Sequence, residues 1–259
     1  MIGLVRSELR KWSTTRMWFG LTLGGMLAVA VITLITALTS GAGNGGNGQA
    51  TPPLSDPAQV RTVYGVAFGI GSLFALILGV ISISGEFRHQ TITPTFLATP
   101  RRSRVVIGKL AGIVVVAGIS GVLMILAGLV VGAIVISAKG FGTRLGSGDV
   151  EQALLLMVLG LLVWAVLGLG VGTLLKNQIA AILVVIGFVF IAEPLLLAGL
   201  NAIGWFPVAK FLPGQASMAM VRTTGEHLLS WWAGTLTLLA YGVVAALLGT
   251  FFTLRRDVT

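Results

Sequence analysis

The sequence predicts an all-α integral membrane protein: six spanning helices, an amphipathic helix ahead of the first, and a re-entrant hairpin between the fifth and sixth. Three observations carry that fold class. The 259 residues have a mean hydropathy of +0.99, with 56% apolar and only 10% charged side chains, too few charges to clothe a soluble surface. Six mostly apolar runs are each long enough for the roughly 20 residues that a ~30 Å hydrocarbon core requires. The basic residues fall in the connectors with a strong bias to one side.

The runs are Met17 to Thr39, Val63 to Gly85, Leu110 to Ser137, Ala153 to Leu175, Ile179 to Leu200 and Leu228 to Leu254. They nearly exhaust the chain, so residues 1–259 form one transmembrane domain with no separate soluble unit. With the amino terminus inside, the inner segments hold twelve Lys and Arg and the outer segments five. That bias puts both termini in the cytoplasm of a cell whose plasma or inner membrane holds the protein. The formal charge of +9 would suggest nucleic acid in a soluble protein; here its position faces it to lipid headgroups and cytoplasmic partners, and no nucleic-acid partner is expected. With no cysteine, thiolate metal sites, disulfides and thiol nucleophiles are excluded. The first run is longer than the apolar region of a signal peptide, so cleavage is not expected.

Ahead of the first span, Ile2, Val5, Leu9 and Trp12 share one helical face while Arg6, Ser7 and Arg10 lie elsewhere, the pattern of a short helix lying in the interface. A disordered basic leader is the alternative. Between the first two spans, Ser40 to Asp56 is Gly- and Asn-rich, then Pro-rich, and reads as a mobile outer loop.

The connector Glu86 to Lys109 has more internal pattern than a plain loop. Thr93 can cap a helix that Pro94 starts, and Pro100 limits it to one or two turns. That helix carries Phe96 and Leu97, apolar side chains that need a surface to enter. Glu86 and Arg88 precede it, and Arg101, Arg102, Arg104 and Lys109 follow it as a basic collar suited to phosphates or acidic side chains. The arrangement reads as a docking helix; the other reading is a reverse turn packed on the protein's own helix ends.

The fourth connector, Lys176 to Gln178, is a tight turn. The fifth run is interrupted at Glu193 and Pro194. Glu193 lies about 14 residues, or roughly 21 Å, into the helix. A carboxyl at that depth either faces a wet pathway or a partner, or the helix ends early and sets it at the outer headgroups. The aromatic and proline-rich stretch Asn201 to His227 then suggests backbone dipping into the outer leaflet.

Chemistry is sparse. Gly118-Ile119-Ser120-Gly121 matches the GxSG pattern of intramembrane serine proteases, yet the only histidines are His89, in a cytoplasmic connector, and His227, at the outer end of the sixth helix, neither within reach of Ser120 at mid-membrane. There is no GxxxxGK[ST] nucleotide loop. Gly20/Gly24, Gly65/Gly69, Gly108/Gly112 and Gly168/Gly172 have the spacing that lets helices approach closely.

Taken together, the leader Arg6 to Trp12, the connector residues Glu86, Arg88, Thr91, Leu97, Pro100, Arg101, Arg104 and Lys109, and the break at Glu193-Pro194 make the chain resemble the membrane subunit of ABC exporters of the type-2 permease family. The resemblance implies a six-helix half-transporter that pairs with a second copy or a homologous permease. It also implies two copies of a separate ATPase subunit, which bind the ATP and Mg, so this chain holds no cofactor. Thr93 to Thr99 would be the coupling helix, and Arg6, Leu9, Arg10 and Trp12 the elbow helix. Glu193 and Pro194 would lie at a pathway or gate. An amphiphilic drug, lipid or peptide would be exported by alternating access. The first outer loop is longer and richer in Gly than in the plainest members. A secondary transporter, or a membrane-embedded enzyme without an ATPase partner, is the competing expectation.

Overall fold

A computed structural model describes residues 10, 12, 17–41, 51–88, 102–175, 177–221 and 228–256. Among these the chain is helical throughout, with no strand. The helices are α1 (Met17–Thr39), α2 (Pro57–Arg88), α3 (Arg102–Ala138), α4 (Gly148–Leu174), α5 (Gln178–Gly187), α6 (Glu193–Ala202), α7 (Phe206–Ala209), α8 (Pro213–Met220) and α9 (Trp231–Arg256), with a π-helical turn at Phe188–Ala192 joining α5 to α6. Six of the resulting rods are long and apolar enough to cross a bilayer, which makes this a multi-pass membrane protein.

The first span has the boundaries that hydropathy gives it; the others do not. Asp56 accepts from Ala58 N at 2.8 Å, and Pro57 occupies the first helical position, so α2 starts six residues before the apolar run. At their other ends α2 continues to Arg88 and α3 begins at Arg102, so the connector between them shortens to residues 89–101. Helices of 32 and 37 residues run about 48 and 55 Å, well beyond the ~30 Å hydrocarbon thickness. The fourth turn is tight because the Asn177 side chain accepts from Ile179 N at 3.0 Å and Ala180 N at 3.2 Å, capping α5.

The fourth and second spans form the centre. They touch backbone to backbone: a Cβ on Gly168 would strike the carbonyl of Leu76, one on Gly172 the carbonyl of Val80, and one on Gly79 the carbonyl of Ala165. Another face of α4 meets α9 equally closely, with Gly170 against Gly242 and Thr173 against Gly249. The Thr173 hydroxyl lies 2.6 Å from Gly170 O and 3.3 Å from Ala245 O. Of the four glycine pairs with that spacing, Gly168/Gly172 lies in a close helix contact, whereas Gly20, Gly65 and Gly69 face open space. Around this centre, α1 and α3 pack on each other and on α2, α5 packs on α2, and α8 packs on α9. The fifth span is the least buried of the six.

One end of the bundle is tied by polar contacts. The Lys139 ammonium donates to the carbonyls of Ala37, Leu38 and Ser40 at 2.9, 2.7 and 3.3 Å, neutralising the orphan acceptors at the α1 C-terminus. Gln59 donates to Ser40 Oγ at 2.9 Å and Tyr64 to Thr143 O at 2.9 Å. Leu54 is buried there with Ala37, Val60, Tyr64 and Ile136. The proline-rich half of the first loop is therefore docked, against the expectation of a uniformly mobile segment; its residues 42–50 lie outside the described residues. Gly140 (φ 80°) and Gly204 (φ 71°) adopt the left-handed conformation that closes α3 and α6, and at each the next residue's N–H returns to a carbonyl five residues back.

Candidate functional site

The fifth span is not broken at Pro194, as the sequence suggests. A proline ring collides with the carbonyl four residues back and offers it no N–H. The helix widens instead: Glu193 N–H donates to Phe188 O, five residues back, and the backbone stays right-handed helical through Glu193. Such π turns re-aim side chains, here setting Val189 and the still exposed Phe188 beside a gap in the bundle.

Those two residues line a cavity of about 410 Å³. Its floor is Leu76, Trp164, Leu167 and Val171, its sides are Val184, Val185, Phe188 and Val189 opposite Tyr241 and Ala245, and Leu212 with Pro213 closes one end. The closing residues sit at the start of α8, where the chain turns back on itself after Phe211. Three hydrogen bonds hold that turn. Glu193, buried, accepts from Gly214 N through Oε1. Tyr241 donates its phenol to Phe211 O at 3.1 Å, from a position ten residues into α9. Trp164 donates its indole N–H to Ser217 Oγ at 3.0 Å, from a position near the middle of α4. A Cβ on Gly214 would fall on the Glu193 carboxylate, and one on Gly234 on the carbonyl of Ala216, so this segment seats closely on both α6 and α9.

The cavity therefore has apolar walls whose two polar side chains, Trp164 and Tyr241, are already spent on the turn. Glu193 lies one turn beyond Val189 and acts outward from the cavity, on Gly214. Of the alternatives open for this carboxyl, the structure excludes an exposed position at a helix end: it is 7% exposed, in the interior of a continuous span. Pro194 itself is exposed.

The connector residues are only partly described. Glu86 and Arg88 fall in the last turn of α2 and Arg104 in the first turn of α3, as backbone. Thr93, Phe96, Leu97, Pro100 and Arg101 lie outside the described residues, as do Arg6 and Leu9. Lys109 does not belong to the basic collar. It is 1% exposed, inside α3, with its ammonium 3.4 Å from the carbonyl of Ser82 on α2. Arg10 is exposed, and Trp12 is buried in the main core with Val29, Ala67 and Phe68. Ser120 is no nucleophile in waiting: its hydroxyl shares a 2.7 Å hydrogen bond with Thr22 on α1, buried between two spans. Among the described residues no cluster of His, Asp and Glu could hold a metal.

Sequence reasoning missed the cavity, because its lining comes from four spans and a turn and none of those residues is polar enough to attract notice. Pro194 was the one signal, since proline inside an apolar run foretells a local change of helix. No protein-family model matches this chain, and no curated protein matches it at significant similarity.

Proposed function

We propose that the chain is the membrane subunit of an ATP-driven exporter of the ABC type, with the motor on a separate chain. The observation that carries the proposal is the pairing of two long helices, α2 and α3, that outrun the hydrocarbon and carry Arg88, Arg102 and Arg104 on a connector with a docking-helix pattern, in a chain without a nucleotide loop. Residues 89–101 then form the lever: Phe96 and Leu97 enter a groove of the ATPase, Arg101 and Arg104 meet its acidic rim, and closure of two ATPase copies around ATP and Mg moves α2 and α3. Two membrane subunits, identical or homologous, enclose the pathway. The Arg6 to Trp12 elbow flanks the lever at the cytoplasmic face of the plasma or inner membrane, and the burial of Trp12 beside exposed Arg10 agrees with an interfacial helix. The turn at Phe211 to Pro213 is the tip of a hairpin re-entering from the outer side. Its bonds to mid-helix Trp164 and to Tyr241 support that depth.

The competing readings find less support. Ion-coupled transport needs ionisable side chains facing a pathway. The two buried ones among the described residues, Lys109 and Glu193, each meet a backbone group. Hydrolysis by Ser120 is opposed by its bond to Thr22. The test is affinity purification of the tagged chain from native membranes, with any ATPase that co-purifies identified by mass spectrometry and then co-expressed with it. A stable complex that is lost on Phe96→Asp or Leu97→Asp is expected. A chain that purifies alone, with no ATPase bound in native membranes, contradicts the proposal.

A further inference from the structure

The 410 Å³ cavity is an opening rather than a void sealed inside the bundle. On one side α5 packs on α2; on the other α9 packs on α4; the cleft between α5 and α9 is what remains. Its deeper lining is buried, Leu76, Trp164, Val185 and Ala245 all being at most 9% exposed, whereas its rim residues Val184, Phe188 and Tyr241 are exposed. The rim runs without interruption into the apolar outer faces of both helices, through Leu183 and Ile179 on α5 and Val244 and Leu248 on α9, which are exposed in a membrane-spanning rod. The cleft thus opens onto the apolar outer surface of the bundle.

Three properties define what fits. The volume falls within the ~300–1,000 Å³ range of small-ligand sites. The walls are aliphatic and aromatic, and the two polar side chains among them, Trp164 and Tyr241, spend their donors on Ser217 and on Phe211 O. A headgroup or a water column would find no donor to meet it, while an apolar cleft of this kind stays dry and takes hydrocarbon. Leu212 and Pro213, pinned through Gly214 to Glu193, close the end toward α7 and α8, so a chain enters sideways or from the end that carries the α4–α5 turn at Asn177.

We propose that this cleft binds one acyl chain of a bilayer phospholipid as a resident ligand, admitted between α5 and α9 and stopped by the Leu212–Pro213 turn. The proposal needs only that the protein spans a membrane; it stands or falls independently of any ATPase partner. The packing of α5 onto the rest of the protein then depends on a filled cleft, which fits the fifth span's being the least buried.

Trp164 in the cleft floor is the reporter. A chain carrying Trp12, Trp18, Trp205, Trp231 and Trp232→Phe keeps it as the sole tryptophan. The protein is reconstituted in vesicles of phosphatidylcholine, or of phosphatidylcholine brominated mid-chain, which quenches indole on contact. A site at least half occupied lowers the Trp164 emission roughly twofold in the brominated vesicles. Acrylamide from the water phase leaves the emission unchanged, and Ala245→Phe, which fills the cleft, restores it. Unquenched emission in brominated lipid, quenching by acrylamide, or equal bromine quenching in Ala245→Phe would each overturn the proposal. Should the single-tryptophan chain fail to fold, the difference between the wild type and Trp164→Phe gives the same quantity, and Val185→Phe replaces Ala245→Phe if that variant does not fold.

Discussion

Glu193 and Lys109 are the acidic and basic side chains that the described part of the molecule buries, and each is held by backbone from another element. A charge in hydrocarbon is retained where a partner offsets its desolvation. For Glu193 that partner is the N–H of Gly214, where a Cβ would come within 2.7 Å of the carboxylate and push it aside. Glu193→Ala removes the acceptor and leaves a part-buried N–H without its partner, a loss of about 1 kcal/mol. Glu193→Gln keeps an acceptor oxygen at the same reach and loses less. Thermal unfolding of the purified protein in detergent ranks the two variants, and equal losses would show that the Gly214 bond is not what the carboxyl contributes. Residue chemistry was legible in the sequence only in part. Glu193 stands out as a carboxyl in an apolar run, but its partner lies 21 residues away on a segment with no marker of its own. Lys109 was misread because a charge at the edge of an apolar run looks like a loop, and nothing local reveals that α3 begins seven residues earlier, at Arg102.

At the scale of elements, hydropathy finds six spans because each must be apolar for about 20 residues, whatever it packs against. It finds their ends less well, since beyond the hydrocarbon a helix continues on capping and propensity. The Asp56-Pro57 signal for α2 was present in the sequence, while the polar starts of α3 and α4 resemble loop. It also cannot tell a broken helix from a widened one: Pro194 announces a disturbance, and only the register of Glu193 N to Phe188 O makes it a π turn. Glycine spacing is a similarly incomplete guide. Gly168→Ala would drive its Cβ onto Leu76 O and separate α4 from α2, costing about 1–3 kcal/mol. Gly65→Ala and Gly69→Ala, with open space around them, change stability by less than about 0.5 kcal/mol. Unfolding midpoints of the three variants test the claim, and a Gly168→Ala protein as stable as the other two would refute the close α2–α4 contact.

For the whole molecule, alternation of the spans gathers Arg88, Arg102, Arg104, Asn177 and Arg256 at one end, and Ser40, Lys139, Arg144 and Lys210 at the other. The exposed aromatic residues Trp205, Phe206, Trp231 and Trp232 cluster with the second group, as an interfacial belt does. On the charge bias, twelve basic residues against five, we propose that the first end is the cytoplasmic one. Because the natural chain has no cysteine, single substitutions report position without background. In intact cells a membrane-impermeant maleimide should label Gly46→Cys and spare Leu97→Cys, which becomes reactive once the membrane is opened; the reverse pattern would invert the topology.

The same substitution reaches the central claim, that the motor is a separate ATPase seated on the connector between α2 and α3. Leu97→Cys is cross-linked in native membranes with a short bifunctional reagent, with and without ATP, and the product is identified by mass spectrometry. The account predicts one cross-linked partner, an ATP-binding protein with a GxxxxGK[ST] loop, whose yield changes when ATP is added and vanishes when the cysteine is moved to Gly46. Cross-links to lipid or to this chain alone, unchanged by ATP, would contradict it.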